Sequence, residues 1–351
     1  MKQGSRKLLP SRFLWTGSIT ALLFFASVPV SRANHVHMQG GPFLGVVLSI
    51  VVDPRHPEIL YTAAHGGGVF RSRDRGASWT VVNQGLPDRQ VFSLLMDPSD
   101  SNQLYLGTDQ GVFHSADGGN SWGPLASALK SRNVRSLIAD PNHAGYLYAA
   151  TDQGVFQGIG NVWRSFSQGL TSKDVRTLVV SPTGRLYAGT FGGVFKKEKK
   201  GSSWTPVKAG LTDKQVRALA IDPTSPATLY AGTALGGVFK TIDGGKKWKA
   251  ANQRLLSSSV LSLAITPAPD KTLYAGTVSG VFKSANGGES WLPTGEELGF
   301  TVPALALDPF DPRLVYAGSG GRIFKSGNAG ATWEEVAHEV NYFGPALSAK
   351  R

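Results

Sequence analysis

The stretch VRALAIDPTSPATLYAGTALGGVFKTIDGGKKW, residues 216–248, decides the fold. Val216-Arg217-Ala218-Leu219-Ala220-Ile221 reads as a buried strand stopped by Asp222-Pro223, because proline cannot donate to a ladder and biases its predecessor toward a turn. Leu229-Tyr230-Ala231-Gly232-Thr233 is a second strand and Gly237-Val238-Phe239-Lys240 a third. Trp248 opens a fourth after the turn that runs from Thr241 through Asp243 and Gly245. Short strands separated by Gly, Pro and Asp signals are the mark of an antiparallel sheet.

The same order recurs along the chain. Beyond residue 33, tryptophan occurs only at 79, 122, 163, 204, 248, 291 and 333, in steps of 43, 41, 41, 44, 43 and 42 residues. A period of about 40–45 residues is the size of one four-stranded propeller blade. The expected fold is therefore all-β, a seven-bladed β-propeller of four-stranded antiparallel blades over residues 46–338, with a lead-in at 34–45 and a C-terminal tail at 339–351. First strands begin at Val47, Val91, Val134, Val175, Val216, Val260 and Val302, and a proline follows each seven residues on. Second strands carry Tyr61, Tyr105, Tyr148, Tyr187, Tyr230, Tyr274 and Tyr316; third strands carry Phe70, Phe113, Phe156, Phe195, Phe239, Phe282 and Phe324. One aromatic of each kind per unit is what flat sheets packed face to face around an axis require.

Residues 1–33 read differently. Lys2, Arg6, Lys7 and Arg12 precede an apolar run from Leu14 to Val30, and Ser31-Arg32-Ala33 ends it with small residues, the three parts of a secretory signal peptide. Removing this segment takes away five basic groups and no acid, so the formal charge falls from +12 to +7. The product is expected to be exported, to the periplasm, a lumen or the medium, with no membrane span once the signal is cleaved. The chain has no cysteine, which excludes disulfides and thiolate zinc sites. Export argues against nucleic acid as the partner despite the high isoelectric point.

The turn into the fourth strand resembles the Asp-box, Ser-x-Asp-x-Gly-x-x-Trp, of bacterial neuraminidase repeats. It stands as Ser72, Asp74, Gly76, Trp79 and as Ser115, Asp117, Gly119, Trp122, with variants at Thr241, Asp243, Gly245, Trp248, at Ser284, Asn286, Gly288, Trp291 and at Ser326, Asn328, Gly330, Trp333. Two units depart from it: blade three is shortened to Gln157-Gly158-Ile159-Gly160-Asn161-Val162-Trp163, and blade four has Lys197 and Lys199 in place of the Ser and Asp. The resemblance implies a propeller and makes the box a turn device. Sialidases of this kind are six-bladed and carry an early Arg-Ile-Pro motif, which is missing here. Xyloglucanase-type glycosidases share the Leu-Tyr-Ala-Gly-Thr and Gly-Val-Phe-Lys-Ser phrasing but resemble two propellers in tandem. The photosystem II stability and assembly factor family, a single exported propeller with a basic patch and no chemistry of its own, is similar in length and layout.

Few residues fit catalysis. A glycosidase needs two carboxyl groups about 5 to 9.5 Å apart, and acids that recur once per blade lie too far around the ring. The more individual carboxylates are Asp88, Asp109, Asp152, Asp174, Asp213, Glu296 and Glu297, of which Asp109 and Asp152 occupy equivalent turns of adjacent blades. His35 and His37 are read as a polar terminus. No catalytic residue, metal site or cofactor is assigned. At the second residue of the first strand, blades one to seven carry Leu48, Phe92, Arg135, Arg176, Arg217, Leu261 and Pro303, so three consecutive blades place arginine at one site. Arg89, Lys130, Arg132, Lys173 and Lys214 join from the incoming loops, with Asp174 and Asp213 diluting the charge. Two readings stay open for these arginines: stems that cover blade packing, or guanidinium forks that hold an acidic partner. Partner-binding residues are accordingly Arg135, Arg176, Arg217, Arg132, Lys173 and Lys214. Lys196, Lys197, Lys199 and Lys200 form a second basic turn on the other face. The function expected is a monomeric, non-catalytic scaffold for a protein or anionic partner; the alternative is a glycan ligand and a xyloglucanase- or sialidase-like glycoside hydrolase.

Overall fold

The computed structural model describes residues 45–125, 129, 132–267, 271–295, 298, 301–336 and 340–341. The expected signal peptide at residues 1–33, His35, His37, Lys130, Glu296 and Glu297 lie outside them. Seven sheets succeed one another, and each is built from four consecutive antiparallel strands. The inner strands are Val46–Val52, Val91–Asp97, Val134–Ala139, Val175–Val180, Val216–Ile221, Val260–Ile265 and Ala304–Leu307. Each lies beside the inner strand of the next blade, and that of blade seven lies beside that of blade one, closing a ring. Among the described residues, the four antiparallel strands of blades seven and one each come from one stretch of chain. At the closure Val47 N donates to Gly320 O at 3.3 Å, and Val340–Asn341 pairs in parallel with Trp79–Thr80 at the outer edge of blade one.

The hydrophobic core is distributed over seven seams between blades. The seam of blades four and five shows the composition: Tyr187 and Val194 from one sheet meet Val216, Leu219, Phe239 and Trp248 of the next. Blades seven and one meet in the same way, with Tyr316 and Ile323 against Val47, Phe70 and Trp79. Glycine at the third position of Tyr-x-Gly is explained by this stacking. A β-carbon on Gly232 would enter the side chain of Val260, the first residue of the next inner strand.

Four of the tryptophans are bolted to the blade before them, whereas Trp163 Nε1 donates to Gly160 O of its own blade. The indole Nε1 of Trp122, Trp204, Trp248 and Trp291 donates to the carbonyls of Val82, Phe166, Val207 and Ala251 at 2.6–2.8 Å. The backbone N–H groups of the same four residues donate to Gln84, Gln168, Ala209 and Gln253. That second bond brings two backbones so close that a β-carbon on Gly85, Gly169 or Gly210 would meet the carbonyl oxygen of Trp122, Trp204 or Trp248, and all three glycines have φ near +90°.

The turn before the tryptophan is held by its own side chains. Ser115 Oγ donates to Asp117 Oδ1 at 2.7 Å and accepts from Gly119 N at 2.8 Å, while Ser121 N and Oγ donate to the two Asp117 oxygens at 2.9 and 2.6 Å. Asn286 replaces the acid in blade six and still accepts from Ser290 N at 3.0 Å. Hydrogen bonds from the Ser121 hydroxyl and amide, then from Ser115, lower the Asp117 carboxyl to about 2.

Two outcomes follow from these bonds. Trp248→Ala removes a buried ring and leaves the Val207 carbonyl without its donor, so it is expected to cost about 3–5 kcal/mol, read as a large fall in melting temperature. A melt at the wild-type temperature would show that the indole does not hold the seam. The folded pKa of Asp117 lies below an unfolded value near 4, so its contribution is complete above about pH 4 and is lost as pH falls toward the folded value. Asp117→Asn should therefore make stability less steeply dependent on pH in that window; an acid-unfolding curve parallel to wild type would contradict the linkage.

Candidate functional site at the axial mouth

One residue is skipped in the pairing of six inner strands. Val47 pairs with Ala64 and Ser49 with Ala63, and the same step occurs between Val91 and Ser93, Val134 and Ser136, Val175 and Thr177, Val216 and Ala218, and Val260 and Ser262. The skipped residues are Leu48, Phe92, Arg135, Arg176, Arg217 and Leu261. A β-bulge frees one residue from the ladder and re-aims its side chain. All six line a single cavity of about 280 Å³ among the inner strands. Blade seven has Pro303 at this position, where no N–H is needed for the ladder, and its inner strand starts at Ala304. The residues just after the bulge tie neighbouring inner strands together: Ser49 Oγ accepts from Leu94 N at 3.3 Å, and Ser262 Oγ donates to Val302 O at 3.1 Å.

The cavity is two-sided, with arginine from blades three to five and Leu48, Phe92 and Leu261 from blades one, two and six. Asp174 sits between two of the cations, 3.2 Å from Arg135 Nη1 and 2.8 Å from Arg176 Nη2. Burial, and then the neighbouring Arg176, lowers the pKa of Arg135. The Arg176 guanidinium also stacks 4.1 Å from the centre of the Phe191 ring. Arg217 is exposed and, among the described residues, makes no ion pair. Asp213 does not reach it, since its carboxylate accepts from the amides of Gln215, Leu235 and Gly236.

The flanking cations divide. Lys173 and Lys214 are exposed on the incoming loops. Arg132 instead donates to Gln153 Oε1 at 2.5 Å and lies 4.7 Å from the centre of the Phe156 ring, so it is tied into its own blade. The turns joining second to third strands share this mouth with the incoming loops: Gly66 N donates to Arg89 O, and Ala234 N to Gln215 O. Asp109 and Asp152 occupy two of those turns, with one Asp152 oxygen taken by Asn133 Nδ2 at 2.8 Å.

What the sequence did not signal is an apolar sector beside the cations. Phe191, Leu235 and Val278 occupy the turns of blades four, five and six, Leu256 lies on the loop between blades five and six, and all four are exposed, Leu235 and Leu256 by 72% and 79%. The clue was available in those turns, where the Gly or Asp-Gln of other blades gives way to a large apolar residue.

No protein-family model matches the chain, and no curated protein matches it either. Solved structures share its fold. An ancestral GH74 enzyme superposes with a TM-score of 0.71 at 20% identity, covering 87% of this chain and 49% of that one. The GH74 xyloglucanase of Xanthomonas campestris gives 0.67 at 19% over 85% and 55%, so the chain spans about half the length of these enzymes. YCF48 bound to D1 peptide gives 0.64 at 18%, covering 86% of this chain and 99% of that one. The extracellular domain assigned to a hybrid two-component system of B. thetaiotaomicron gives 0.66 at 17% over 80% and 38%. At these identities the likeness is one of fold.

Proposed function

We propose that the chain is an exported, non-catalytic scaffold whose axial mouth binds an acidic, partly apolar segment of a protein partner. The observation that carries this reading is the joining of Arg135, Arg176 and Arg217, aimed by equivalent bulges at one cavity, to an exposed apolar sector at the same mouth. Arginine forks recognise carboxylates in pairs of hydrogen bonds, and exposed apolar residues next to them add area that neither a free anion nor a sugar would need. Asp174 acts as a placeholder, holding two guanidinium groups in position until a ligand carboxylate competes for them. The architecture of YCF48, a structure that holds a bound D1 peptide and is spanned along nearly its whole length, is compatible with such a use. The basic, apolar and small-residue parts of residues 1–33 support export.

A glycoside hydrolase is the second reading, because two of the similar structures are GH74 proteins. It would draw on Asp109 and Asp152, but Asp152 is already committed to Asn133.

Affinity purification of the tagged full chain from its own cells tests the first reading. Lys173→Glu, Lys214→Glu and Arg217→Glu together reverse exposed charges without breaking an ion pair seen in the structure, so folding should be preserved and the co-purified partner lost. Retention of that partner by the triple variant would sink the proposal. Asp174→Asn should act oppositely, tightening binding several-fold, since it frees two guanidinium groups and removes a like charge from the path of the ligand. Release of reducing sugar from xyloglucan by the purified chain would replace the scaffold reading with the second.

A further inference from the structure

The opposite face carries a different feature at the seam of blades three and four. Three seams are sealed at their outer part by one pattern, in which a tyrosine and a cation of one blade bond to the same turn carbonyl of the next. Tyr61 Oη and Arg71 Nη1 donate to Gly118 O at 2.9 and 2.8 Å. Tyr230 and Lys240 do so to Gly287 O at 3.0 and 2.7 Å, and Tyr274 and Lys283 to Ala329 O at 3.0 and 2.8 Å.

At blades three and four both halves of the seal are missing. The cation position is Gln157, and the accepting turn is the lysine-substituted one. Tyr148 turns back into its own blade, donating to Asp140 Oδ2 at 2.9 Å and accepting from Gln157 Nε2 at 3.1 Å. Burial and Asp140 push its phenol up to about 12. In the turn, Lys197 takes the place of the serine, buries its stem and donates to Gly201 O at 2.5 Å, with Nζ 4.7 Å from the centre of the Phe166 ring. A cleft of about 350 Å³ opens along the unsealed seam. That volume suits a ligand of monosaccharide size.

The charges lining the cleft do not cancel. Asp140 is satisfied by Tyr148, by Asn142 N at 2.8 Å and by His143 Nδ1 at 3.0 Å. Glu198 is held by Arg185 at 2.8 Å and Lys196 at 3.1 Å. Arg164, by contrast, uses Nε and Nη2 on the neutral Gln157 Oε1, and among the described residues Lys199 and Lys200 make no ion pair. Three exposed cations thus face a cleft whose acids are already engaged, with Tyr146 and Phe166 supplying apolar surface.

We propose that this cleft is a binding site for a small polyhydroxylated molecule bearing one phosphate or carboxylate group, with Arg164 and Lys199 holding the anionic group. The site is independent of the axial mouth. Calorimetric titration of the full chain with glucose 6-phosphate, glucuronate and glucose tests it. At least one of the two anionic sugars is expected to bind about tenfold or more tightly than glucose, and whichever does so identifies phosphate or carboxylate as the group recognised. Arg164→Ala with Lys199→Ala should weaken that binding by about tenfold or more at an unchanged melting temperature. Binding of neither anionic sugar, binding of glucose with equal affinity, or full affinity in the double variant would each overturn the proposal. Arg73→Ala, at an exposed cation on blade one outside both sites, serves as the variant that leaves this affinity unchanged.

Discussion

The wheel depends on a close approach of backbones at four of its seams, where a tryptophan hands both its indole and its main-chain N–H to the preceding blade. Face-to-face sheets gain their cohesion from apolar area, which is non-directional and would allow one sheet to slide over the next. The paired donors remove that freedom, because they engage two carbonyls two residues apart on the same neighbour. The glycines at positive φ beside them are the steric condition for the bond. At the seam of blades five and six the corresponding residue is Arg254, held at φ 63°. The approach is thus kept even where it places a side chain in a disfavoured conformation.

Six of the seven inner strands also bulge. Their ends converge on the axis, and leaving one residue out of the ladder relieves crowding and sends its side chain into the channel. The bulge thus recurs in the backbone of six blades while its side chain varies. Leucine and phenylalanine there line one side of the cavity, whereas arginine from blades three to five makes the channel asymmetric. The same logic applies to the outer seams. A tyrosine and a cation on one carbonyl close the gap between blades, and substitution of both partners at blades three and four leaves a polar cleft in place of a seal.

Most of the wheel was legible because it is written seven times. Tryptophan spacing gave the blade count, and the Tyr, Phe and Val positions predicted at the seams are buried there, Tyr105 only in part. Chain direction alone put Arg135, Arg176 and Arg217 at one mouth, but the bulge that aims them is a property of register, which hydrophobic pattern does not report. Nor could spacing reveal that Asp174 would grip two arginines while Asp213 turned to backbone amides, since both occupy the same kind of loop. Arg132 was grouped with the mouth by position and is drawn to Gln153 and Phe156 by local geometry. The two irregular turns were visible as separate lapses. That they open one cleft emerges only when Tyr148 is seen to bond within its own blade.

The four antiparallel strands of every blade come from a single uninterrupted segment of chain, and the far end adds only the short Val340–Asn341 strand to the outer edge of blade one. Each sheet is consequently complete before its neighbour exists, and what passes from one blade to the next is only a seam. A chain of this kind carries no topological memory of where it starts: a circularly permuted gene that began at any other inner strand would specify the same wheel. It also means that a lapse in one blade is confined to its two seams. Individual sectors could then diverge in sequence while the rest of the ring kept its shape, and the concentration of irregular residues in blades three to five is the pattern that such local freedom leaves behind.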